Sequence, residues 1–139
     1  MAKAIKLPNK NLVPKAKKGI VPFAFLNPGG GEIYEVGTAI QIIWTGGPAL
    51  PQNVQLSLVN VNQWTVVNIN IPVSNPIGSA PGICKTTIPA NFFTAYIAQT
   101  KMSPTDRFQF YIQDTAVTTW TYGPEFTIWC SAMDYDPAI

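Results

Sequence analysis

The sequence predicts an all-β fold, an antiparallel β-sandwich of seven or eight strands with an extended N-terminal arm. Three observations predict it. From about residue 20, apolar and polar residues alternate with period two, and Gly, Pro or Asn clusters interrupt the alternation at the spacing of sandwich strands. Thirteen prolines and ten glycines in 139 residues are too many for a helical protein. An apolar share of 47% is too high for a disordered one. The length suits one domain with a real core. The chain divides into a basic arm at 1–19, a strand-rich body at 20–130 and a short acidic tail at 131–139.

Ile20–Leu26 reads as the first strand, and Pro22 confines it to a sheet edge because proline donates no ladder hydrogen bond. Asn27 to Gly31 is a turn rich in residues that tolerate positive φ. Glu32–Val36 is a short strand ended by Gly37. Thr38–Thr45 follows with Ile40, Ile42 and Trp44 on one face, and Trp44 is the expected core tryptophan. A loop with two prolines spans 46–53. Val54–Asn60 alternates most cleanly, sending Val54, Leu56 and Leu58 one way and Gln55 and Ser57 the other. Trp64–Ile71 places Val67, Ile69 and Ile71 on one face; 72–83 is a long loop and Cys84–Ile88 a short strand. Over Asn91–Gln99 the spacing of Phe92, Tyr96 and Gln99 suits a single short helix. Arg107–Asp114 points Phe108, Phe110 and Ile112 inward and Gln109, Tyr111 and Gln113 outward. After a turn at Thr115–Thr118, Trp120–Gly123 runs back, and Glu125–Trp129 closes the sheet with Phe126 and Ile128 inward. Strands in this number over about 110 residues fit an immunoglobulin-like sandwich.

The net charge of +2 hides an asymmetry. Residues 1–18 hold Lys3, Lys6, Lys10, Lys15, Lys17 and Lys18 and no acid, a charge of +6. The remainder sets Lys85, Lys101 and Arg107 against seven acids, a charge of −4. A basic arm on a mildly acidic body can meet an acidic neighbouring subunit, nucleic acid or an anionic surface. Fully extended, 18 residues reach about 60 Å, against a radius of gyration near 14 Å for a domain of this size. The arm's apolar patches, Ile5-Leu7, Leu12-Val13 and Ala16, alternate with lysines and two prolines. That suits an extended segment lying in a groove. The six lysines are therefore the candidate partner contacts.

Catalytic chemistry is not visible. The sequence contains no histidine, which removes Ser-His-Asp and Cys-His triads and the commonest general base. Asp134-Tyr135-Asp136 reads as a solvated tail rather than a cation site. Gly29 to Gly31 lack the Lys-Ser/Thr and the following helix of a phosphate cradle. Glu32 and Glu35 point to opposite faces of a short strand. No enzyme, metal or cofactor is expected. Cys84 and Cys130 stand in no metal-type spacing, and both are expected as free thiols. The Gly19–Leu26 run is short, contains Pro22 and lacks a small-x-small site, so it is not read as a secretion signal. No apolar run approaches a membrane span. Trp120 and Tyr122 share a strand face, with Tyr111 outward on a neighbouring strand. The three rings are candidates for core, protein interface or sugar platform.

Asn27-Pro28-Gly29-Gly30-Gly31-Glu32-Ile33-Tyr34 leads into Val36-Gly37-Thr38 and then Ile40-Gln41-Ile42-Ile43-Trp44-Thr45. Val54-Gln55-Leu56-Ser57-Leu58 follows, and the body ends Trp120-Thr121-Tyr122-Gly123-Pro124-Glu125-Phe126-Thr127-Ile128. Together these resemble the immunoglobulin-like domain of the Ser/Thr-rich, GPI-anchored fungal cell-wall family associated with glucan assembly, over roughly residues 23–129. The signal peptide and anchor of that family are not read in this sequence. The resemblance implies a β-sandwich used for adhesion or assembly, carries no catalytic residues across, and suggests a carbohydrate-binding or cell-surface role. The residues themselves favour a structural subunit, a minor capsid, cementing or decoration protein of a virus or phage particle. Its arm would dock on neighbouring subunits in a virion or a cytoplasmic assembly.

Overall fold

A computed structural model describes residues 7–8, 15–47, 54–67, 69, 71, 82–92, 105–114 and 119–129. Ten strand segments make up two sheets: β1 (Lys15–Ala16), β2 (Val21–Asn27), β3 (Ile33–Glu35), β4 (Ala39–Gly47), β5 (Val54–Asn60), β6 (Thr65–Val67), β7 (Gly82–Thr87), β8 (Arg107–Asp114), β9 (Thr119–Tyr122) and β10 (Phe126–Trp129). The smaller sheet runs β2-β4-β7, antiparallel throughout. In the larger, β6-β5-β8 continues into β9 and β10, which both pair with β8. Beyond them β1 pairs antiparallel with β9 and β3 parallel with β10. The chain changes sheet at every step from β1 to β5, and again between β6 and β7 and between β7 and β8. These crossings make the fold an immunoglobulin-like β-sandwich.

Ten described segments exceed the seven or eight predicted strands, and the one the sequence did not anticipate is β1. The separate strands read at Trp120–Gly123 and Glu125–Trp129 are β9 and β10, which flank a bulge: the register with β8 slips by one residue between Tyr111↔Tyr122 and Phe108↔Phe126. Gly123 within the bulge still donates its N–H to Phe110 at 2.7 Å. β1 is contributed by the arm. Pro22 does sit in an edge strand, beside a register irregularity between Val21 and Ala24. The loop read at 72–83 is shorter by two residues, since Gly82 and Ile83 already pair with β4 as the start of β7; its residues 72–81, most of the proposed helix at Asn91–Gln99, Cys130 and the tail at 131–139 lie outside the described residues.

The alternation on β4, β5, β8 and β10 converges on one core. Ile40, Ile42 and Trp44 face Leu56, Leu58, Phe108, Phe110, Ile112, Phe126 and Ile128. Trp44 is fully buried, as its position predicts. It is accommodated because Gly82 stands opposite it in the ladder. A Cβ there would lie 2.3 Å from the indole ring. Phe126 is met edge-on by Tyr34 at 5.3 Å and packs on Phe110 at 5.2 Å. The β5–β6 turn is tied to the start of β8. Asn60 Nδ2 donates to buried Asp106 at 2.9 Å, the Gln63 amide donates to Asn60 Oδ1 at 2.9 Å, and the Arg107 amide donates to Asn62 Oδ1 at 2.8 Å. Within that turn Trp64 adopts φ 53°.

The Gly82 contact is testable. Gly82→Ala must displace the Trp44 ring and is expected to destabilise the protein by about 1–3 kcal/mol. Gly29→Ala meets nothing closer than 3.7 Å and is expected to leave stability nearly unchanged. Urea denaturation of the two variants checks the difference.

Candidate functional site

The ring residues singled out in the sequence come together on the outer face of the larger sheet. Register places Tyr111 opposite Tyr122 and Gln113 opposite Trp120. Alternation therefore sends Tyr111, Trp120 and Tyr122 to one side, away from the core. Val59, paired with Gln109, joins them from β5, and Trp64 from the β5–β6 turn. Ring centroids lie 5.0 Å apart for Tyr111–Tyr122, 5.1 Å for Trp64–Tyr122 and 5.6 Å for Trp120–Tyr122. These are attractive aromatic separations.

This face is outward but not open. Val59 is 0% exposed, Tyr111 1% and Trp120 5%. Alternation reads which side of a sheet a residue faces; it does not read what lies on that side. Here the arm lies on it. Leu7 packs against the Val59-Tyr111-Trp120 cluster, and the Tyr122 hydroxyl donates to the Pro8 carbonyl oxygen at 2.5 Å. Further along, β1 pairs Lys15 with Trp120 and Ala16 with Thr119. The chain then turns, Ile20 donating its N–H to Lys17 O at 2.9 Å, and enters β2 in the other sheet. Gly19 makes this turn at φ 88° with open space where a side chain would be. Over its described residues the arm thus contacts its own body, where the sequence alone favours a neighbour.

Of the six arm lysines, Lys15 supplies backbone to β1, and Lys17 and Lys18 are exposed in the turn. Lys3, Lys6 and Lys10 lie outside the described residues. Sequence reasoning missed β1, because a two-residue strand has no periodicity to detect. The signal present was the alternation of apolar patches, Ala16 among them, with lysines and prolines, which marks an extended segment without naming the strand it pairs with. The anchor is modest. Covering Leu7 contributes at most about 2 kcal/mol and the phenol hydrogen bond about 1 kcal/mol.

Burial sets the electrostatics of the face. It pushes the Tyr111 phenol up to about 12, with the nearby Asp114 carboxylate adding to the shift. Burial likewise raises Tyr122, seconded by Tyr111. Tyr111 donates its hydroxyl hydrogen to Gln113 Oε1 at 2.7 Å, and Gln113 passes a hydrogen bond to Gln55 at 2.9 Å. The rings are held neutral and paired.

Elsewhere the chemistry is structural. In the glycine turn, the Glu32 carboxylate accepts the amides of Gly29 and Gly30 at 2.6 and 2.8 Å. The place an anion would take is thus filled by the chain itself. Burial pulls the Glu32 carboxyl up, but these amides and its own pull it lower on balance. The free Cys84 thiol is buried, and that burial pushes it up to about 11. Among the described residues no group of three His, Cys, Asp or Glu is placed to hold a metal ion. No described helix is long and apolar enough to cross a membrane.

The raised phenol and thiol values fix the direction of an alkaline effect. Each group is neutral in the folded state beyond the pH at which it ionises when unfolded. Its stabilisation is therefore complete below about pH 9, and is lost as pH rises through 11 to 12. Phenolate absorbance should show Tyr111 and Tyr122 among the last of the five tyrosines to ionise, together with loss of the fold. Ordinary titration of both rings near pH 10 in the intact fold would contradict the covered face.

No protein-family model matches the chain, and no curated protein does. Among solved structures it is similar to a chimeric titin Z1Z2 functionalized with a KLER exogenous peptide from decorin, at 13% identity and a TM-score of 0.41, over 81% of this chain and 99% of that one. It is also similar to titin M4 in a trigonal form, at 9% identity and a TM-score of 0.37, over 86% and 100%. The strand order given above, rather than these distant likenesses, establishes the immunoglobulin-like architecture.

Proposed function

We propose that this protein is a non-enzymatic structural subunit of a large protein assembly, whose N-terminal arm docks on neighbouring subunits. A minor capsid, cementing or decoration protein of a virus or phage particle is the form of that role its chemistry suits best. One observation carries the reading: the aromatic outer face is covered by a segment joined to the body through a single turn at Gly19. A face that needs a cover, and a cover on a tether, are the two halves of a docking joint. The charge distribution supports it, since an arm of +6 is attracted to a body of −4, whether its own or a neighbour's. A charged share of only 12% also suits surfaces that meet protein rather than water.

The alternative, a carbohydrate-binding or cell-surface module in line with the fungal family resemblance, needs the rings bared. Tyr122 and Trp64 are half-buried, and the arm would have to leave before Tyr111 and Trp120 met a sugar. Nucleic acid is a third partner for the lysines, and it predicts binding that falls steeply with salt.

Deleting residues 1–18 is expected to leave a folded body that no longer incorporates into its particle. Unchanged incorporation would refute the docking role. Glucan binding by the full chain that is lost in Tyr122→Ala, with thermal stability retained, would favour the sugar reading instead.

A further inference from the structure

We infer that the aromatic slot is a site for the arm of a second copy of this chain, so that two copies join by exchanging arms. The inference rests on the docking role proposed above and names its partner. The occupant is identified by fit: Leu7 and Pro8 already sit in the slot, and the arm of another copy presents the same leucine, carbonyl and strand. Exchange then replaces each contact with an identical one, and only the connecting turn changes. That turn is built to change. It is held by one backbone hydrogen bond from Ile20 to Lys17, and Gly19 carries no side chain to restrict its opening. Once open, the arm is several times longer than the body's radius.

A second observation points to a copy lying on this face. Alternation along β3 and β10 places Ile33 and Trp129 on the same outer side as Tyr111, toward the other end of the sheet. They are 70% and 47% exposed. The arm covers the slot and leaves these two open. A neighbour set face to face covers both, which gives the exchanged state apolar burial that the closed monomer lacks. The exchanged pair therefore gains with concentration, the condition inside an assembly.

Two full-length variants test this. Leu7→Asp spoils the arm and keeps the slot; Tyr122→Asp sets a carboxylate against the Pro8 carbonyl, spoiling the slot and keeping the arm. Each alone is expected to sediment as a monomer at concentrations where the unaltered chain pairs. Mixed, they should form a one-to-one complex, because the intact arm of one fits the intact slot of the other. Trp64→Ala, at the rim of the slot, gives the same result if Tyr122→Asp fails to fold. Trp129→Lys, at an exposed position, should weaken pairing about tenfold or more with the monomer's melting temperature unchanged. An unaltered chain that stays monomeric at its solubility limit, or a mixture that forms no complex, overturns the exchange. If the mixture fails while deletion of residues 1–18 still abolishes incorporation, the docking role stands with a different partner. If the deletion has no effect, the docking role itself is wrong.

Discussion

A sheet with apolar side chains on both faces has to be covered twice, and that constraint organises this molecule. The inner face of the larger sheet is covered by the smaller sheet, with Trp44 as its largest side chain. The outer face carries Val59, Tyr111 and Trp120, which no third sheet covers among the described residues. Leaving three such residues in water would waste several kcal/mol of burial. The chain answers with its own leading segment, laid over the rings and stitched to the edge of β9. The second cover is far lighter than the first, so the two faces differ in how easily they open.

Much of the body was legible from residue order. Strand β8 matches the predicted bounds, and the inward sets on β4, β5, β8 and β10 are the buried ones. Period-two alternation works there because one face meets a core. It misleads at Tyr111 and Val59, where both neighbours on the strand are also buried. Alternation encodes side, while exposure depends on what else in the chain arrives there. The arm's destination was illegible for a related reason: Leu7 and Pro8 declare an extended backbone but not the surface it lies on. At Gly123 the Gly-Pro pair marks the interruption between the two predicted strands but not the one-residue slip in their register with β8.

Buried polarity in this fold is spent on shape. Asp106 ties the β5–β6 turn to β8 through Asn60, and Asp114 accepts the Thr119 amide, tying the end of β8 to the start of β9. No buried side-chain nitrogen or oxygen among the described residues is left without a partner. Fully satisfied networks of this kind fix a unique arrangement. Among the described residues the Lys17–Gly19 turn is held more lightly, by a single backbone bond beside an unhindered glycine.

The two sandwich margins differ in chemical character. Among the described residues β7 pairs on one side only, with β4, and its exposed residues are Ile83, Lys85 and Thr87. An incoming strand that extended this ladder would bring its backbone alongside an ammonium group, and stacking many copies would bury a column of cations. Such a margin resists runaway polymerisation into fibrils. Growth of copies upon one another is thereby discouraged along β7, even where the chain is concentrated.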